Sequence, residues 1–271
     1  MSRRTKGIAV PATLIGDDFR APGVELLDFP PLWEGAPSWL NKPAVLAATG
    51  VLVVCALVWR AFARPQLVPR GLQNAGEYGY LFVRDQIARP FLGKDADRWM
   101  PLLLSLFFLI LLWNLFGVVP GVQFPVNSHI AFPAVFALVV YVIKIYLGVR
   151  HHGLRGYLTG LMFPPGLPKP LAIVFFAPME LLYTFVTAPF THAVRLFANM
   201  FAGHLLLAFF SAAGFWFLFE QPTVAGLPVG VLSVAAATVL TGFEIFIQFL
   251  QAFLFTMLAA MFIGGSINPG H

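Results

Sequence analysis

Two stretches of the chain hold polar side chains where nearly every neighbour is apolar. The first, Pro189-Phe-Thr-His-Ala-Val-Arg-Leu-Phe-Ala-Asn-Met-Phe-Ala-Gly-His204, carries Arg195, Asn199 and His204; the second carries Thr241, Glu244, Gln248 and Gln251. Placing an arginine at a bilayer centre costs roughly 2.5–3.5 kcal/mol on insertion scales, so such a residue as a rule faces protein or water and has a task. Pro189 lies close upstream, however, and a helix starting there would let Arg195 snorkel to the interface instead. Thr241, Glu244, Gln248 and Gln251 fall at i, i+3, i+7 and i+10, which places them on one helical face. A carboxylate flanked by amides on a membrane helix suits a wet, proton-handling path; amides that merely join helices are the plainer alternative.

The breaker Gln221-Pro222-Thr223 lets the two stretches fold into an antiparallel hairpin. The midpoint of 204 and 244 is residue 224, and that of 195 and 251 is residue 223. His204 is therefore expected level with Glu244, and Arg195 level with Gln251. Nine residues rise about 13.5 Å along one helix and seven about 10.5 Å along the other, so the polar pairs form two tiers. Arg195 and Asn199, at i and i+4, share a side. A snorkelling arginine needs no matched partner on the opposite helix, so the tiers favour a functional Arg195. His and Glu exchange protons near neutral pH when their surroundings tune them, whereas Arg keeps its proton. A proton path interrupted by a permanent cation is useless in a simple channel. It makes sense where a second subunit carries a carboxylate past the cation, loading on one side and unloading on the other.

The elements that must position these residues are membrane helices. Of 271 residues 59% are hydrophobic and only 11% charged, and the mean hydropathy is +0.81. Soluble domains carry roughly a quarter charged residues, so this composition describes an all-α polytopic membrane protein. The net charge of +5 does not indicate nucleic acid, because the basic residues lie between apolar runs. The single cysteine, Cys55, rules out a disulfide framework.

Residues 1–43 read as a polar, proline-broken segment. Arg3 and Arg4 have no apolar run behind them within the required distance, which argues against a cleaved signal peptide. Spans are expected at about 44–62, 101–118, 130–147, 171–219 and 229–263, forming one membrane domain over 44–271. Residues 70–92 alternate Tyr78, Leu81, Phe82 and Ile87 with Glu77, Arg84, Asp85 and Arg89, the pattern of an interfacial amphipathic helix. Gly93-Lys94 lacks the upstream glycine of a phosphate loop. The basic exit Arg150-His151-His152-Gly-Leu-Arg155 reads as a loop, and its histidines as interfacial residues rather than metal ligands. The last two apolar runs are too long for upright helices; the first of them must be strongly tilted, broken at Pro178 or Pro189, or both. Basic residues Arg60, Arg64, Arg70, Arg150, Arg155 and Lys169 place their loops in the cytoplasm. The N-terminus is then expected outside and the C-terminus inside.

The motif Arg195-Leu-Phe-Ala-Asn-Met-Phe-Ala-Gly-His204 closely resembles the signature of subunit a of F-type ATP synthases, the stator beside a rotating ring of c subunits. Glu244 to Gln251, followed by Ala252-Phe253, resembles the second polar helix of that subunit. Asn114-Leu-Phe-Gly-Val-Val-Pro-Gly121 resembles its shorter motif at the end of an earlier span, and the likeness covers roughly residues 44–265. The resemblance implies that Arg195 is the stator arginine facing a ring carboxylate, with Asn199 beside it and Gln251 positioning it. It implies that His204 and Glu244, with Gln248 on the same face as Glu244, line one half-channel, and that Glu180 belongs to the other. Some members have Glu at the position of His204 and His at that of Glu244, so the pair looks exchanged here. Ala198 stands where many members have Gly.

The same resemblance implies a non-catalytic, proton-translocating subunit of a bacterial plasma membrane, with no cofactor, no metal and no bound nucleotide. Its implied partners are the c-subunit ring, b-type peripheral stalk subunits, the other ATP synthase subunits and membrane lipid. Two half-channels would lead to the ring carboxylates, separated by Arg195. Each charge crossing 100 mV is worth about 2.3 kcal/mol, so several are needed per ATP. A rival class is a secondary transporter whose Arg195 binds an anionic substrate between broken helices; it predicts internal repeats, which the sequence lacks. A scaffold whose polar residues only pack helices is disfavoured by the matched tiers.

Overall fold

The computed structural model describes residues 29–35, 37–63, 66–162 and 172–267, together with Phe19, residues 21–23 and Glu25. Most of the expected N-terminal segment, the proline-rich stretch 163–171 with Lys169, and Arg64 lie outside the described residues. The described chain is built from helices, of which five are long and apolar enough to cross a membrane. We label them with the amphipathic helix in chain order: α1 (Lys42–Phe62), α2 (72–92), α3 (Ala96–Leu115), α4 (Ala131–Met162), α5 (172–220) and α6 (Gly226–Ile267). The chain divides into two compact units: residues 29–201 with 245–271, and residues 1–28 with 202–244.

In the larger unit the Asn41 side chain starts α1 by accepting the Ala44 N–H at 3.1 Å, and Pro43 fills a first-turn position that needs no donor. α2 folds back along α3 about Gly93, whose φ of +52° ends one helix and lets the next begin. Val83, Ile87 and Ala88 are fully buried and belong to one core with Leu103, Ile110, Leu196, Met200 and Ile263. Arg84 stays at the rim, where it pairs with Asp97 at 2.7 Å. Between helices in lipid, packing replaces the hydrophobic drive, and small residues allow close approach. Ala252, Ala259 and Ala260 of α6 are accordingly fully buried, while Val135, Leu138 and Val142 of α4 face outward.

Two differences from the expected layout, and one alternative it left open, have physical causes. α3 begins at Ala96 rather than at Pro101, which sits inside the helix. The stretch 150–155 is no extended loop: two helical segments of α4 meet at Gly153, whose φ of +69° is non-helical, and the second runs to Met162. The chain reverses there, and the Tyr157 ring occupies the space where Gly148 would carry a Cβ. α5 is not broken at Pro178 or Pro189. A π-helical turn precedes each proline, at Ala172–Phe176 and Tyr183–Thr187, and a third at Val83–Ala88 precedes Pro90. A proline ring clashes with the carbonyl four residues back and supplies no donor, and a wider turn accommodates both defects.

The smaller unit is an antiparallel hairpin. Thr223 turns it, its hydroxyl accepting the Gly226 N–H at 3.0 Å and its carbonyl the Leu227 N–H at 2.9 Å. Gly214 lies against Val234 and Gly230 against Leu218, where added Cβ atoms would fall 2.7 Å from side-chain carbons. Both pairs are centred on residue 224, as the sequence pairing predicts. Phe19 packs its ring against Phe209, Trp216 and Phe217 at 5.9, 6.3 and 6.2 Å.

Gly264 of α6 meets the Phe91 carbonyl of α2 so closely that a Cβ would collide with backbone, whereas Gly265 has open space. Gly264→Ala should destabilise the subunit by about 1–3 kcal/mol, the usual cost of overpacking, and Gly265→Ala should not. Heat-dependent loss of the subunit from purified complex distinguishes the two variants.

Candidate functional site

The larger unit holds Arg195, Asn199, Gln248 and Gln251. Arg195 lies on the outer side of α5: it and Ala198 are exposed, whereas Leu196 and Met200, on the opposite side, are 1% and 0% exposed. Asn199, one turn on, is half-buried. Gln248 and Gln251 point inward from α6 at 0% and 6% exposure. In this unit the His192 ring of α5 lies 3.8 Å from the Phe255 ring of α6, centroid to centroid. That antiparallel register sets Arg195 level with residues 251–252. No hydrogen bond joins Arg195 to Gln251 among the described residues; the register aligns their levels, while the guanidinium looks outward and the amide inward.

Gln248 is tied in through its backbone. Asn127 donates to the Asn114 side-chain carbonyl at 2.7 Å, and Asn114 donates to the Gln248 main-chain carbonyl at 3.3 Å. Both asparagines are fully buried, so this amide chain anchors the turn after α3 to α6. It explains why an asparagine ends the α3 span: a buried amide with partners on both sides is costly to replace. Asn127 had no sequence signal, because it reads as a polar residue of an outward loop.

The smaller unit holds His204 and Glu244. The hairpin centred on residue 224 puts position 204 level with position 244. Glu244 is 5% exposed, and its carboxylate oxygen lies 3.5 Å from where a Cβ on Gly203 would stand. The glycine beside His204 therefore leaves the space that the carboxylate faces. His204 is half-buried. Thr241 is half-buried, and its hydroxyl donates to the Ala237 carbonyl of its own helix at 2.8 Å.

Sequence reading passed over a second polar group in the larger unit. Tyr141 and His192 are 3% and 4% exposed, and Lys144 lies over the Tyr141 and Phe262 rings at 5.3 and 4.9 Å. Lys144 is an ionisable residue inside an apolar run, which was itself a signal. Glu180, half-buried on α5, accepts a long hydrogen bond from Thr184 at 3.5 Å. No group of three or more His, Cys, Asp or Glu is placed to hold a metal ion among the described residues.

Fold and site together define a polytopic helical membrane protein with a buried carboxylate and an outward arginine on its last two helices. The ATP synthase A chain family profile matches residues 44–264. ATP synthase subunit a of Streptomyces lividans is 40% identical over 262 residues, covering 94% of this chain and 90% of the relative. That of Frankia alni is 40% identical over 269 residues, covering 97% and 91%, and that of a Nocardioides species 35% identical over 277, covering 98% and 100%. The chain belongs to the ATP synthase subunit a family. It is a non-catalytic, integral membrane subunit of the F-type ATP synthase of a bacterial plasma membrane, and serves ATP synthesis through proton transport.

Removing Asn127 leaves the Asn114 carbonyl buried without its donor. Asn127→Ala should lower stability by about 1–3 kcal/mol, seen as earlier thermal dissociation of the subunit from detergent-solubilised complex.

Proposed function

We propose that this subunit provides two aqueous half-channels to the carboxylates of a rotating c-ring, and that Arg195 separates them. The observation that supports it is the outward placement of a guanidinium on a membrane helix whose opposite side is packed. A permanent cation facing lipid is unfavourable, whereas one facing a passing carboxylate is not. Ala198 beside it is small, which lets another helix approach closely.

In this reading a proton arrives from outside, is handed on by His204 and Glu244, and neutralises a ring carboxylate, which then turns into lipid. After nearly a full revolution the carboxylate meets the cytoplasmic half-channel and ionises. Arg195 favours the ionised form and repels a free proton, so the two paths do not short-circuit. Asn199, Gln248 and Gln251 supply neutral hydrogen-bonding groups that solvate the path without holding charge. b-type stalk subunits complete the stator. The N-terminus lies outside and the C-terminus in the cytoplasm, since the outward stretches 119–129 and 221–228 carry no Lys or Arg.

The test is ATP-driven proton pumping in inverted vesicles. Arg195→Ala should assemble and hydrolyse ATP but pump at background level; pumping at the wild-type rate would sink the proposal. Glu244→Gln should slow pumping about 10²-fold, the scale of a lost proton-transfer group. The exchange His204→Glu with Glu244→His should pump faster than either single variant, because the two groups work as a pair.

A further inference from the structure

Among the described residues, His192 is the one histidine outside the proposed path that is buried deep in a packed core. Its ring is wedged against Phe255 and lies 5.8 Å from Phe262 and 6.2 Å from Tyr141, centroid to centroid. Its Nε2 and the Tyr141 hydroxyl are both buried with no hydrogen-bond partner among the described residues. Two such groups side by side are costly in a purely apolar pocket, and are accounted for where water or a moving proton satisfies them. Arg195 acts electrostatically on both His192 and Tyr141, Tyr183 acts on Tyr141, and Glu180 acts on Lys144. From α6 the Phe255 and Phe262 rings face the histidine.

These groups run from the arginine to a carboxylate. Arg195 stands one helical turn from His192, Tyr141 lies next to His192, Lys144 covers the Tyr141 ring, and α4, which carries Lys144, packs against the segment Ala177–Leu182 that carries Glu180. We propose that His192 is a proton acceptor on the exit side of Arg195, passing protons by way of the Tyr141 hydroxyl and bound water to Glu180, with Lys144 positioning that carboxylate. The inference rests on the two-half-channel reading given above. The proton balance is simple: Nε2 of the neutral ring takes a proton released from a ring carboxylate and gives the same proton up, returning to neutral.

The measurement is ATP-driven pumping in inverted vesicles between pH 5.5 and 8.5, with the intact complex carrying His192→Leu, Tyr141→Phe or Lys144→Met, and Arg195→Ala as the reference. His192→Leu should slow pumping about tenfold or more and change its pH dependence, as loss of a relay group does. His192→Gln, which keeps the polar contact but cannot carry the proton, should behave like His192→Leu; a wild-type pH profile for His192→Gln would make the residue merely structural and overturn the proposal. Tyr141→Phe keeps the ring and removes only the hydroxyl, so it carries the test if the histidine variants do not assemble. A wild-type rate and pH profile for both Tyr141→Phe and Lys144→Met would overturn the proposal while Arg195→Ala still failed to pump. Pumping by Arg195→Ala would instead overturn the two-half-channel reading itself.

Discussion

Hydrocarbon offers no donor or acceptor, so every polar atom carried into the membrane must find its partner within the protein. That constraint explains most of the irregular features of this chain. Pro90, Pro178 and Pro189 each withdraw a backbone donor from a helix, and each is preceded by a π-helical turn that widens the ladder. Asn127, Asn114 and the Gln248 carbonyl solve the same problem with side chains. Glu244 faces the bare backbone at Gly203, and Thr241 turns its hydroxyl onto its own helix. His192 and Tyr141 are among the buried groups, with the Gln248 amide and the Tyr157 hydroxyl, whose hydrogen bonding the described residues do not complete.

The subunit thus separates two kinds of polar residue. Some close on a partner, as the neutral Asn127–Asn114–Gln248 chain does in the core and the Arg84–Asp97 pair does at the rim. Others, charged or titratable, are placed at an edge or in a space: Arg195 on an outward face, Glu244 beside a glycine, Lys144 over two rings. A protein that only held other helices together would have no use for that second arrangement.

Much of this was legible in the sequence, because length and apolarity alone fix a membrane helix. The first span was expected at 44–62 and is Lys42–Phe62; the last was expected at 229–263 and is Gly226–Ile267. The hairpin centre followed from the spacing of four polar residues, and the contacts of Gly214 and Gly230 fall on it. The basic stretch 150–155 misled, since polarity reports where water lies and not where a helix stops; the stop is written in Gly153 and its positive φ. Of the alternatives left open at Pro178 and Pro189, the break is not taken, and a π turn, which leaves no mark in composition, stands before each proline. His192 went unseen beside the louder Arg195, and Lys144 because one charge hardly disturbs an apolar run. Asn127 needed the fold, since its partner lies across a turn.

The outward arginine also bears on the energetics of assembly. A copy that has not found its neighbours presents a guanidinium to lipid, at a cost of roughly 2.5–3.5 kcal/mol that local bilayer thinning and water defects only partly relieve. A partner that faces the guanidinium with a polar or ionised group removes that cost, so this one side chain ties the energy of the subunit in the bilayer to its assembly.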